Sequence, residues 1–111
     1  MSLELFQRHV EWFNEGVRTG DYGPMLEQFA DDAELEFVGV AAGPFVGKDE
    51  IGAAYAAQPP DDTVEILEVR EEAGVVVADY AWSADGGARA GRMLLTPEDG
   101  KIAKLVVTFD S

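Results

Sequence analysis

Cysteine is absent from this 111-residue chain, which rules out disulfides and thiolate metal sites. Basic residues are scarce, with 8 Lys and Arg against 22 Asp and Glu, for a net charge of −14. A surface of that sign repels polyanions, so nucleic acid and anionic membranes are excluded as expected partners. Only Lys48, Lys101 and Lys104 are lysines. An acidic, well-solvated surface accounts for this, and so does a salt-adapted host or a genome poor in lysine codons. No stretch approaches the roughly 18 apolar residues of a membrane span. No basic segment near the start leads into an apolar run, so cytoplasm is the default expectation. Repeats, linkers and low-complexity tracts are missing too. One domain over 1–111 is therefore expected, with 47% hydrophobic and 27% charged residues.

Two kinds of periodicity divide the chain. Leu3, Phe6, Val10, Phe13 and Val17 recur at helical spacing, and Leu5, His9, Trp12 and Gly16 form the adjoining strip. Ser2 suits the cap of that helix, and Glu4 its first turn. So wide a stripe fits a helix laid across a sheet. Gly20 stops this helix and Asp21 can cap a second, short one whose buried side is Met25, Leu26 and Phe29. From Ala33 to Val40 the chain alternates, Leu35 and Phe37 against Glu34 and Glu36. Gly39, Gly43, Pro44 and Gly47 break the run. A third helix follows from Lys48 to Ala57, with Ile51, Ala54 and Tyr55 on one side and Pro59-Pro60 ending it.

From Thr63 onward the pattern is a strand meander: Thr63 to Glu71, Val75 to Ser83, Ala88 to Thr96 and Lys101 to Phe109. Its turns fall at Ala73-Gly74, Ala84-Asp85-Gly86-Gly87 and Pro97-Glu98-Asp99-Gly100. Helices first and strands afterwards give an α+β fold with a mainly antiparallel sheet. Both faces of Val75 to Trp82 are apolar, although helices are available to cover only one. A homodimer through the outer sheet face is the expected remedy.

The order helix, Gly20-Asp21, short helix, Phe29-Ala30-Asp31-Asp32-Ala33, strand, Gly43-Pro44-Phe45-Val46-Gly47, helix and four-strand meander resembles the nuclear-transport-factor-2-like superfamily. The nearer likeness is to its SnoaL-like and ketosteroid-isomerase-like branches. The resemblance implies a cone, in which a strongly curved sheet wraps the N-terminal helices around an apolar cavity (α-α-β-α-β-β-β-β), and it implies a dimer. The superfamily hosts isomerases, cyclases, dehydratases and non-catalytic binding modules, so function has to come from residues.

Steroid isomerase chemistry needs an aspartate base and two acidic hydrogen-bond donors. By counts from the motifs above, Phe13, Phe37 and Arg92 hold those positions, and phenylalanine moves no proton. Tyr55 matches a supporting tyrosine of that network, either as a phenol in the cavity or as a core residue. Arg92 shares a strand face with Leu94, expected to look into the cone. There it would meet a ligand anion or an internal acid such as Asp79, and a register shift of one would place it in solvent. Asp79 is a base or an arginine partner, and His9 a titratable group or a packing residue on the helix flank. Tyr80, Trp82, Trp12, Phe6, Phe45 and Phe109 are core or cavity wall. The acid pairs Asp31-Asp32, Asp61-Asp62 and Glu71-Glu72 sit at element ends, where carboxylates are solvated and not metal ligands. No glycine run matches a phosphate loop.

The expectation is a small-molecule-binding protein without metal or cofactor. Its ligand is compact, apolar or weakly anionic, and is held by Phe13, Phe37, Tyr55, Trp82, Arg92, Leu94 and Phe109. One alternative is an isomerase, cyclase or dehydratase with Asp79 or His9 as base and Tyr55 or Arg92 stabilising negative charge. The other is a structural dimerisation module with a filled cone.

Overall fold

A computed structural model describes residues 2–39, 43–57, 60 and 62–109. The expected roles of the Ser2 side chain, Val40, Pro59 and Asp61 lie outside what is described. Helix α1 spans Ser2–Thr19, α2 Gly23–Leu26 and α3 Lys48–Ala57. The strands are β1 Phe29–Val38, β2 Phe45–Val46, β3 Val64–Glu72, β4 Val75–Trp82, β5 Arg89–Glu98 and β6 Lys101–Phe109. The fold is α+β, with the six strands in one curved, unclosed sheet ordered β2-β1-β6-β5-β4-β3. The sheet is mixed, because β1 runs parallel to β6 while every other neighbour is antiparallel.

Helix α1 buries Phe6, His9, Phe13 and Gly16 against the sheet and α2. Trp12, expected in the core or cavity wall, is 40% exposed. It lies one residue from Phe13, hence about 100° around the helix, at the margin of the buried stripe. Gly16 is needed for space, since a Cβ there would fall 2.4 Å from the Tyr22 ring. Asn14 ties α1 to the first residue of β3: its amide donates to the Val64 carbonyl at 3.1 Å, and the Val64 N–H donates to its Oδ1 at 2.9 Å.

Asp21, expected as the cap of α2, stands one residue before its N-cap Tyr22, from where its Oδ1 accepts from the Gly23 N–H at 3.0 Å. Phe29 is a correction: it opens β1, fully buried opposite Ile102, and is not part of the helix. A sheet partner supplied from the far end of the chain overrides the local helical spacing. In β3 a bulge falls between Ile66 and Glu68, so Val64 and Ile66 turn inward while Leu67 is left 45% exposed.

Two further register shifts set the faces of β5. One lies opposite Tyr80/Ala81 and the other at Thr96/Pro97. The second leaves one extra residue, Ala103, in β6, because Thr96 pairs with Lys104 and Pro97 with Ile102. Its effect is to bring Gly91, Met93 and Leu95 to the face shared by Phe109, Val107 and Leu105.

Candidate functional site

The concave face of the sheet, α1 and α3 enclose a cavity of about 590 Å³. Its most buried wall is formed by His9, Leu35, Tyr80 and Leu105. Phe37, Phe45, Trp82, Phe109, Pro60 and Ala57 are partly or fully exposed and form the mouth. Phe13, Tyr55, Val64, Met93 and Val107 complete the sides. Phe37 packs against Phe45 and Phe109, with ring centroids 6.2 and 6.0 Å apart. Tyr55 meets Phe13 edge-on at 6.4 Å and stacks on Tyr22 at 5.0 Å.

Five of the seven residues expected to line the site are on this wall: Phe13, Phe37, Tyr55, Trp82 and Phe109. Arg92 and Leu94 are not, and their expected inward orientation is corrected. Without the extra residue at Ala103, the face of Phe109 would have been that of Leu94 and Arg92. The bulge turns both outward and puts Met93 in their place. Met93, Tyr80, His9 and Val64 are among the wall residues not expected from the sequence as ligand contacts. Strand parity carried outward from Tyr80 would have found Met93, since Ala78 faces Met93 and Tyr80 faces Gly91.

On the outer face Arg92 Nε donates to Asp79 Oδ1 at 3.1 Å, and Arg89 reaches the same oxygen at 3.4 Å. The Arg92 hydrogen bond, with the charges of Arg89 and Arg92, holds the Asp79 carboxyl below its usual range despite some desolvation. Asp79 is thus an arginine partner, remote from the cavity and unsuited to act as a base there.

The polar groups on the cavity wall are neutral. The Tyr80 hydroxyl donates to the Thr108 carbonyl at 3.0 Å. Burial, and secondarily Tyr22, pushes the Tyr55 phenol up, so it remains protonated. His9 is 3% exposed and meets Phe29 edge-on at 5.8 Å. Burial lowers its imidazole to about 4, against a smaller opposing effect of Gln28. At neutral pH the site therefore presents an uncharged imidazole, two phenols and an indole among apolar walls. Among the described residues no three His, Cys, Asp or Glu side chains converge as metal ligands. No helix described is long and apolar enough to cross a membrane.

Comparison with solved structures places the fold. Mycobacterium tuberculosis RV0760c, in complex with estradiol-17beta-hemisuccinate, superposes with TM-score 0.74 at 19% identity, over 98% of this chain and 93% of that one. A computationally designed 17-OHP binder gives 0.75 at 21% identity, over 98% and 90%. A putative polyketide cyclase from Sinorhizobium meliloti gives 0.66 at 20% identity, over 90% and 93%. No curated protein sequence matches the chain. The family profile described as SnoaL-like domain matches residues 9–105, from the His9 turn of α1 to the Leu105 position of β6. With that match covering most of the chain, the protein belongs to the SnoaL-like family, and its helices set against one curved mixed sheet give it the fold of solved NTF2-like proteins.

Proposed function

We propose that this protein binds a compact, apolar, uncharged small molecule in the cone cavity, without a metal or cofactor. One observation carries this reading: about 590 Å³ remain unfilled inside an apolar wall, within the usual range of ligand pockets. A purely structural module would fill that space with side chains, because empty apolar volume is destabilising. The weakly anionic ligand rested on Arg92 as an inward anchor, and Arg92 is held on the outer face by Asp79. The acid–base alternative loses Asp79 and Arg92 in the same way. It keeps Tyr55 and, as its base, only His9, whose imidazole at about 4 is a weak base at neutral pH. That two structural neighbours are a steroid-conjugate complex and a designed binder supports the binding reading by analogy of fold.

The test is to fill the cavity from the wall. Met93 is 6% exposed and lines the cavity. Met93→Trp is expected to weaken binding of a naphthalene-sized probe at least about tenfold, the equivalent of some 1.4 kcal/mol, in calorimetric titration. Native mass spectrometry of the freshly purified wild type is expected to show a co-purified small molecule that the variant lacks. Equal probe affinity in the two proteins would refute the cavity as the binding site.

Assembly through the outer sheet face is part of the same proposal, with a second copy of this chain as the occupant. Val77, Leu94 and Val106 align across β4, β5 and β6 as an apolar line. Asp79–Arg92 at 3.1 Å borders it on one side and Glu36–Lys104 at 3.8 Å on another. Both signs of charge around an apolar centre make the face complementary to itself. Light scattering on a size-exclusion column is expected to give twice the 12.0 kDa chain mass at micromolar concentration. A steady monomer mass would end the dimer proposal.

A further inference from the structure

His9, on the most buried part of the cavity wall, has a polar neighbour behind it, Gln28, that lies outside the cavity lining. His9 Nδ1 and Gln28 Oε1 are the two buried side-chain polar atoms, among the described residues, that lack a hydrogen-bond partner. They are neighbours, since Gln28 is the side chain that raises the proton affinity of the imidazole, although no hydrogen bond of good geometry joins them. The backbone at Gln28 is held in place, because its main-chain carbonyl accepts from the Ile102 N–H at 2.8 Å where β1 joins β6. Buried polar atoms left unpaired are costly, and a proton on Nδ1 directed at Oε1 answers both of them at once.

Neutral imidazole carries one proton, on either ring nitrogen. Gln28 Oε1 can only accept, so the tautomer that answers both orphaned atoms carries the proton on Nδ1. Nε2 is then the nitrogen with a free lone pair, and His9 lines the cavity. Tyr80, also on the cavity wall, donates its hydroxyl hydrogen to the Thr108 carbonyl.

Resting on the cavity reading above, we propose that His9 is a specificity-determining residue, with Nε2 accepting a hydrogen bond from a hydroxyl group carried at the buried end of an otherwise apolar ligand. Alcohols and phenols fit. Ethers, lacking the donor, leave Nε2 unpaired and desolvated. Carboxylates bring a charge into a wall with no cation to meet it. Gln28 acts through His9 as a positioning residue, by selecting the tautomer. Closing the ligand hydrogen bond also draws the imidazole into a polarised chain from Gln28 through His9 to the hydroxyl.

His9 is the only histidine, so one pair of imidazole nitrogen resonances reports on it without assignment. In the free wild-type protein labelled with ¹⁵N, Nδ1 is expected to be protonated and Nε2 unprotonated at pH 7. Adding 2-naphthol is expected to shift Nε2, whereas 2-methoxynaphthalene leaves it near its free position. By calorimetry 2-naphthol is expected to bind about 5- to 10-fold tighter than the ether, the effect of one net hydrogen bond. In His9→Phe that preference for 2-naphthol over the ether is expected to vanish, whatever the absolute affinities become. A proton found on Nε2, equal affinities in the wild type, or a preference surviving His9→Phe would overturn the assignment and leave the cavity intact as a binding site. Failure of both probes to bind would overturn the cavity reading and the assignment together. The nitrogen spectra need only the wild-type protein, so they decide the question even where His9→Phe folds poorly.

Discussion

Replacing Gly91 by alanine is expected to cost about 3 kcal/mol or more of folding stability, lowering the melting temperature by roughly 10–20 °C. Gly91 faces inward on β5, opposite Phe109 and beside Tyr80. A Cβ there would lie 1.8 Å from the Thr108 carbonyl oxygen and 3.1 Å from the Tyr80 ring. The first contact is with backbone, which cannot rotate away, so relief requires β5 and β6 to separate. That separation would also break the bond from the Tyr80 hydroxyl to the same Thr108 carbonyl. Gly52→Ala is the matched control. Its Cβ meets only a Leu26 methyl, at 3.3 Å, and alanine is the better helix former. Thermal unfolding of the two variants beside the wild type checks the claim. A Gly91→Ala melting point within a couple of degrees of wild type contradicts it.

Acid is expected to destabilise the wild type by about 3 kcal/mol more than a His9→Leu variant between pH 7 and pH 4. In the unfolded chain His9 takes up its proton near 6.5, whereas in the fold burial lowers it to about 4. Through that window the unfolded state binds more protons, so each step down in pH favours unfolding. The loss is complete only below the folded value of about 4, where both states carry the proton. The groups that meet His9 are Gln28, the Phe29 ring and the apolar cavity wall, with no carboxylate on that wall to stabilise an imidazolium. Surface carboxylates titrate in the same range in both proteins, so the difference between the two urea-unfolding profiles isolates His9. Parallel profiles would show that the imidazole titrates normally and is not buried.

Helices α1 and α3 were legible because glycine, proline and apolar spacing act within a few residues of one another. The Lys48–Ala57 and Lys101–Phe109 boundaries fall where that punctuation puts them. Phe13, Phe37, Tyr55, Trp82 and Phe109 were legible as wall residues for a related reason: the helix stripe and the strand alternation nearest each fix which way they point. Arg92 and Leu94 failed because their face depends on Ala103, an extra residue on the neighbouring strand with no composition that marks a bulge. Phe29 failed because its partner, Ile102, lies far along the chain. The polar pair of His9 and Gln28 was invisible, since their contact follows from the way α1 crosses the start of β1. Spacing along one element cannot show that crossing.

The parallel pairing of β1 with β6 has a consequence for how the chain reaches this shape. Phe29 waits for Ile102 and Leu35 for Leu105, and among the described residues the other strand beside β1 is the two-residue β2. During synthesis, therefore, β1 emerges long before its main partner and presents a vacant edge meanwhile. Asp31, Asp32, Glu34 and Glu36 all lie within that strand. Four carboxylates on so short a segment discourage one nascent copy from pairing with another. The acidity of β1 thus guards the interval before the last strand arrives.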